Sequence, residues 1–147
     1  MSEVQIKKIT AEQTHPLRHE ILRPHQSLNE MKYPNDDWQG AFHLGAFLNE
    51  QLSGIISVYP EDEQGQRSLL HWRVRGMAVH DSTQGYGVGG RLLKAAIEEL
   101  KTLKAELVWC NARTTAIGFY TKNEFQTKGD EFEIEGIGPH YIAYKIL

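Results

Sequence analysis

The segment Gln84-Gly85-Tyr86-Gly87-Val88-Gly89-Gly90 constrains the chain more than any other. Four glycines fall within six residues, between an apolar strand pattern ending at His80 and an amphipathic helix pattern starting at Arg91. Glycines accept positive φ and let backbone N–H groups come close to a ligand. A helix that starts there leaves its first amides unpaired and presents the positive end of its dipole. Strand, loop and helix together make an anion site suited to a phosphate or pyrophosphate. A turn alone would need only one or two glycines.

Two common phosphate-binding folds do not fit. Gly85, Gly87 and Gly90 match G-x-G-x-x-G, but a dinucleotide fold carries that motif on its first strand, with an acidic residue about 20 positions later. Here about 80 residues precede the loop, and the next strand ends Trp109-Cys110-Asn111-Ala112-Arg113. A P-loop requires Lys-Ser/Thr where this chain has Arg91-Leu92.

Composition narrows the class. With 147 residues, 40% hydrophobic and 24% charged, the chain reads as a single globular domain over 1–147. Sixteen Lys+Arg against 19 Asp+Glu give a net charge of −3, so no overall basic field recruits nucleic acid. One cysteine cannot close an internal disulfide, and no apolar run approaches the ~20 residues of a membrane span. A cytoplasmic protein is expected.

Periodicity gives a mixed α/β order. Val4–Lys7 predicts a short strand, and Thr10–Arg23 a helix that buries Leu17, Ile21 and Leu22 and ends at Pro24. Residues 33–40 read as a loop or distorted turn. Ala41–Leu48 and Leu52–Tyr59 form a hairpin pattern around Asn49-Glu50-Gln51. Ser68–His80 reads as a long strand with Leu70, Trp72 and Val74 on one face, while Met77 and Val79 continue the apolar pattern one residue out of step. A bulge near Arg75-Gly76 would restore the register. Arg91–Lys104 predicts a helix with a Leu92, Leu93, Ala96, Ile97, Leu100 stripe. A buried strand over Ala105–Cys110, a short helix over Thr114–Lys122, and strands near Glu124–Lys128 and Tyr141–Ile146 complete the order.

The glycine loop, following Gly76-Met77-Ala78-Val79, resembles the Gln/Arg-x-x-Gly-x-Gly/Ala signature of the GNAT superfamily of acetyl-CoA-dependent N-acetyltransferases. Asn111-Ala112-Arg113 and Ala116-Ile117-Gly118-Phe119-Tyr120-Thr121-Lys122-Asn123-Glu124-Phe125 are similar to that family's second stretch, with Asn123-Glu124 replacing the usual x-Gly. The likeness is specific over about residues 68–128. Leu17–Pro24 and Gly138-Pro139-His140-Tyr141 resemble the marks of a small bacterial branch of the family. The fold implied is a mixed, largely antiparallel sheet with a splayed, bulged strand and flanking helices.

The same resemblance implies acetyl-CoA as donor, no metal, and a small-molecule amine or peptide as acceptor; a homodimer is compatible with it. It assigns the pantetheine arm to Met77, Ala78 and Val79. It assigns the pyrophosphate to Gln84, Gly85, Tyr86, Gly87, Val88, Gly89, Gly90 and Arg91, with Phe119 beside the cofactor. Asn111 either lines the cofactor channel or caps the next helix. A non-catalytic acyl-CoA sensor or interaction module would share these features.

Acyl transfer to an amine poses two proton problems. A lysine-like amine (pKa ~10.4) must lose a proton, costing about 4–5 kcal/mol at pH 7, and the departing thiolate must be stabilised. Tyr120 stands where the resemblance places the acid; read alone, it is a core aromatic on a short helix. For the base, His71 stands on the long strand, and imidazole is the side chain that exchanges protons near neutrality. His71, Arg73 and Arg75 read either as a solvated strand face or, with Arg18 and Arg23, as a cleft for a substrate carboxylate or phosphate. His140 either borders that cleft or is an ordinary loop histidine. His15 and His19 are four apart but lack the glutamate of H-E-x-x-H, and Pro16 intervenes, so no metal site is expected. Cys110 reads as a buried small hydrophobe or, less simply, an acyl-carrying thiol.

Overall fold

A computed structural model describes residues 4–83 and 85–147. The strands are β1 (Val4–Ile9), β2 (Phe42–Leu48), β3 (Gln51–Tyr59), β4 (His71–Val79), β5 (Leu107–Arg113), β6 (Gln126–Ile134) and β7 (Gly138–Ile146). They form one sheet in the order β1-β2-β3-β4-β5-β7-β6. Every neighbouring pair is antiparallel except β4 with β5. The helices are α1 (Ala11–Leu17), α2 (Val88–Thr102) and α3 (Ile117–Lys122). This is the mixed, largely antiparallel α/β architecture expected.

Local chemistry explains most element ends. Thr10 caps α1 through a reciprocal capping box with Gln13. The helix predicted over Thr10–Arg23 is not uniform. After Leu17 it widens into a π turn, Arg18–Leu22, closed by the Arg23 amide donating to the Arg18 carbonyl at 3.1 Å. Pro16 supplies no N–H to the ladder, and a π turn is one way a helix absorbs such a break. The β2–β3 hairpin turns on Asn49 and Glu50 at φ 53° and 66°, the doubly left-handed turn that matches strand twist. Leu70 lies outside β4 and is half exposed, so the strand's apolar face begins at Trp72.

The expected bulge is present. Ala78 pairs with Ile55 and Arg75 with Ser57, so Gly76 and Met77 together oppose Ile56, and Gly76 sits at φ +64°. The core lies where α2 sets Leu92, Leu93, Ala96, Ile97 and Leu100 against β2, β3 and β4. The closest approach is at Gly54, where a Cβ would lie 2.8 Å from Val88 Cγ1 and 3.0 Å from Leu92 Cδ1. Among the described residues, no helix is long and apolar enough to cross a membrane.

Candidate active site

The glycine segment is part loop, part helix. Gly85 and Gly87 take φ +91° and +68°, and a Cβ at either would meet nothing within 4 Å among the described residues. Both therefore hold left-handed backbone against open space. α2 begins at Val88, three residues earlier than periodicity suggested. Its first hydrogen bond runs from the Arg91 amide to the Gly87 carbonyl at 3.1 Å, which leaves the amides of Val88, Gly89 and Gly90 at an open N-terminus. No acidic side chain occupies that first turn. These amides border a groove of about 560 Å³ whose other walls include Met77, Ala78, Val79 and Phe119. Arg91 faces a neighbouring hollow of about 550 Å³, with Lys94, Lys122 and Lys145 around it. Tyr86 is half exposed and lines neither, and Gln84 lies outside the described residues.

The groove exists because two strands part. β4 and β5 pair only over His71–Arg73 and Leu107–Trp109, and beyond that point the bulge carries β4 away. The β5-facing edge from Val74 to Val79 is thus available to pair with an extended ligand, while the opposite edge stays bonded to β3.

A second cavity, about 420 Å³, opens on the other side of the parting strands. It shares Met77, Ala116 and Tyr120 with the groove, so the two meet at Tyr120. That tyrosine is buried on α3 between Phe119 and Phe125, with ring centres 5.1 and 5.4 Å away. Its hydroxyl points to Met77 Sδ at 4.0 Å, a weak acceptor that leaves the proton free for a stronger one. Burial, reinforced by the neighbouring Cys110, holds the phenol's pKa well above its ordinary value. The group is therefore a proton donor at any physiological pH. Burial likewise pushes the Cys110 thiol up to about 12, which removes the thiolate an acyl-cysteine would need.

The sequence-predicted acceptor residues divide. Arg23, Arg73, Arg75 and His140 line the second cavity, as does Arg113. Asn111 lines it too, inside β5 opposite Ile142; it caps no helix, because β5 extends to Arg113 instead of ending at Cys110. His71 lines neither cavity; it stands at the start of β4, where the strand is still paired with β5. Arg18 is not a cleft residue. It is fully buried, forking onto Asp36 at 2.8 and 2.9 Å and donating to the Met31 carbonyl and Ser57.

That buried pair belongs to a network that pattern reading missed. Asp36 also accepts from the Tyr59 hydroxyl at 2.6 Å and the Tyr33 amide at 3.0 Å. Burial raises the carboxyl, but these donors outweigh it and hold its pKa at about 2. The signal available was Arg18 itself, three and four residues before Ile21 and Leu22 and so on their buried face.

Against known proteins, residues 9–125 match the model of the Acetyltransferase (GNAT) family. The chain is 38% identical over 144 residues to the uncharacterized N-acetyltransferase YitI of Bacillus subtilis, covering 98% of this chain and 97% of that one. Among solved structures, Ard1 from Thermoplasma volcanium superposes with a TM-score of 0.78 at 16% identity, over 98% of this chain and 97% of that one. An aminoglycoside 6'-N-acetyltransferase complexed with coenzyme A gives 0.74 at 14% identity, over 97% and 96%.

Proposed function

Because the chain belongs to the GNAT acetyltransferase family, we propose that it transfers an acetyl group from acetyl-CoA directly to the primary amine of a small molecule or peptide. The observation that carries this reading is the meeting of two cavities at Tyr120: one with a phosphate-type cradle, the other lined with cations. The residues fit the cofactor. Gly85, Gly87 and the amides of Val88–Gly90 would hold its pyrophosphate, and the free edge of Met77–Val79 its pantetheine arm. Bound there, acetyl-CoA supplies an activated acetyl group and a thiolate leaving group.

The chain's own groups handle the protons. Tyr120 holds a proton at its hydroxyl, which it donates to the leaving sulfur. On the acceptor side the base is His140 in place of His71. Its Nδ1 lies 2.7 Å from the Gly138 carbonyl, which can only accept, so Nδ1 carries a hydrogen and Nε2 is the ring nitrogen left to meet the acceptor amine. Backbone amides polarise the carbonyl. The buried, protonated Cys110 supports direct transfer over a ping-pong route. A lone thiol kept buried also suits a reducing, cytoplasmic setting.

A CoA-release assay across amines, amino acids, polyamines and peptides tests the reading. Tyr120→Phe is expected to lower turnover about 100-fold or more while leaving CoA affinity nearly unchanged. Binding of acetyl-CoA with no amine-dependent thiol release from the wild type would make the protein a sensor instead.

A further inference from the structure

We infer that the acceptor is a small amine that also carries an anionic group, a carboxylate or phosphate, held by Arg75 and Arg23 while its amine faces Tyr120. The inference rests on the acetyl-transfer reading and names that reaction's substrate class.

Charge balance in the second cavity is the first ground. Arg23, Arg73, Arg75 and Arg113 converge on it from β4, β5 and the end of the π turn, and Glu135 is the one acid among its described lining residues. Two of the four are already committed. Arg73 pairs with Glu61 at 3.3 Å and lies over Trp109, and Arg113 donates to the Leu22 carbonyl at 3.2 Å. Arg75 and Arg23 have no ion pair and no hydrogen bond from their side chains among the described residues. Arg23 Nε is buried without a hydrogen-bond partner among the described residues.

Unbalanced cations packed together raise one another's energy. Burial and the neighbouring Arg73 and Arg23 lower the proton affinity of Arg75, although a guanidinium stays charged. An anion entering the cavity would relieve that repulsion. It would also be met by planar forks suited to bidentate recognition of a carboxylate or phosphate.

The forks are held in place. Arg75 lies 4.1 Å from the Tyr33 ring centre and Arg23 5.6 Å from it. That ring is fixed in turn by Arg18 at 3.9 Å and by the Tyr33 amide on Asp36. The bulge admits it closely: a Cβ on Gly76 would come within 3.1 Å of Tyr33 Cε2. The buried network therefore positions the stacking surface on which Arg75 rests.

Size sets the remaining limit. A cavity of about 420 Å³ suits a small molecule. Arg75 stands two residues before Met77, the neighbour of the Tyr120 hydroxyl, and the bulge at Gly76 shortens that span below the roughly 6–7 Å of regular strand, so only a few atoms separate the amine from the anion.

The test titrates the CoA-loaded protein calorimetrically with pairs that differ in the anionic group: β-alanine against β-alaninamide, and O-phosphoethanolamine against ethanolamine. At least one acid-bearing member is expected to bind tenfold or more tightly than its neutral partner. The carboxylate and phosphate arms show which anion is preferred. Arg75→Gln is expected to collapse the ratio toward one. Arg23→Gln, on a different element, is expected to shrink it and serves if the first variant does not fold. Equal affinities within both pairs, or a ratio unchanged in both variants, overturn the inference. Turnover reads the parent proposal separately. Selective binding without acetyl transfer leaves the anion site standing and removes the enzyme, whereas acetyl transfer with equal affinities for acid and neutral members does the reverse.

Discussion

At the scale of single residues, backbone conformation and proton affinity carry the chemistry. Gly87 caps α2 at φ +68° with open space before it. An alanine there would hold left-handed backbone at a cost of about 1–2 kcal/mol and put a methyl into the cradle. Gly87→Ala is expected to remain folded and lose tenfold or more in CoA affinity, measured by titration calorimetry. Tyr120 shows the same economy. Among the described residues its hydroxyl meets soft sulfur partners, the Met77 thioether at 4.0 Å and the Cys110 thiol, and burial keeps the proton on oxygen. Both conditions come from neighbours distant in sequence, Met77 and Cys110.

At the scale of elements, the site depends on how α2 seats on the sheet and how β4 leaves β5. The first turn of α2 is pressed to β3 by Val88 over Gly54. Gly54→Ala would force Val88 Cγ1 and Leu92 Cδ1 aside, and overpacking of this kind costs about 1–3 kcal/mol. The variant is expected to lower the urea midpoint. Because Val88 sits in the cradle's own turn, it is also expected to weaken CoA binding measurably. The bulge at Gly76 does two jobs at once, turning β4 out of its ladder and making room for Tyr33.

At the scale of the whole molecule, the Arg18–Asp36–Tyr59 network ties the π turn, the 3-10 turn Pro34–Asp37 and β3 together. Removing one partner of a buried ion pair costs about 3–5 kcal/mol, and Asp36→Asn is expected to destabilise the fold by that amount in urea unfolding. The network also sets an acid limit. The Asp36 carboxyl lies below its ordinary 3.8, at about 2, so its stabilisation is complete above pH 4 and lost as pH falls toward 2. At 1.36 kcal/mol per pH unit, that is worth about 2 kcal/mol. His43, lowered from 6.5 chiefly by burial, acts in the same direction, its contribution falling once pH drops below 6.5. Unfolding free energies measured from pH 7 to pH 2 are expected to decline below 6.5 and steepen below 4. Asp36→Asn is expected to remove the steep limb.

The amino-acid order alone determined what is local or periodic. The hairpin at Asn49, the β4 bulge, the α2 stripe and the glycine cradle each rest on φ preferences or on a two- or 3.6-residue repeat within a few turns of chain. Only the folded chain decided what depends on contacts between distant segments. Arg18 reads as a candidate cleft cation, yet it is buried because Asp36, eighteen residues on, neutralises it. His71 and Arg75 share a strand face by count, yet only Arg75 reaches the cavity, because β4 parts from β5 after Arg73. His140 joins the same cavity through the β5–β7 pairing that sets it opposite Arg113. Periodicity fixes which face a side chain takes; which partners await it there is set by strand order and charge pairing across the chain.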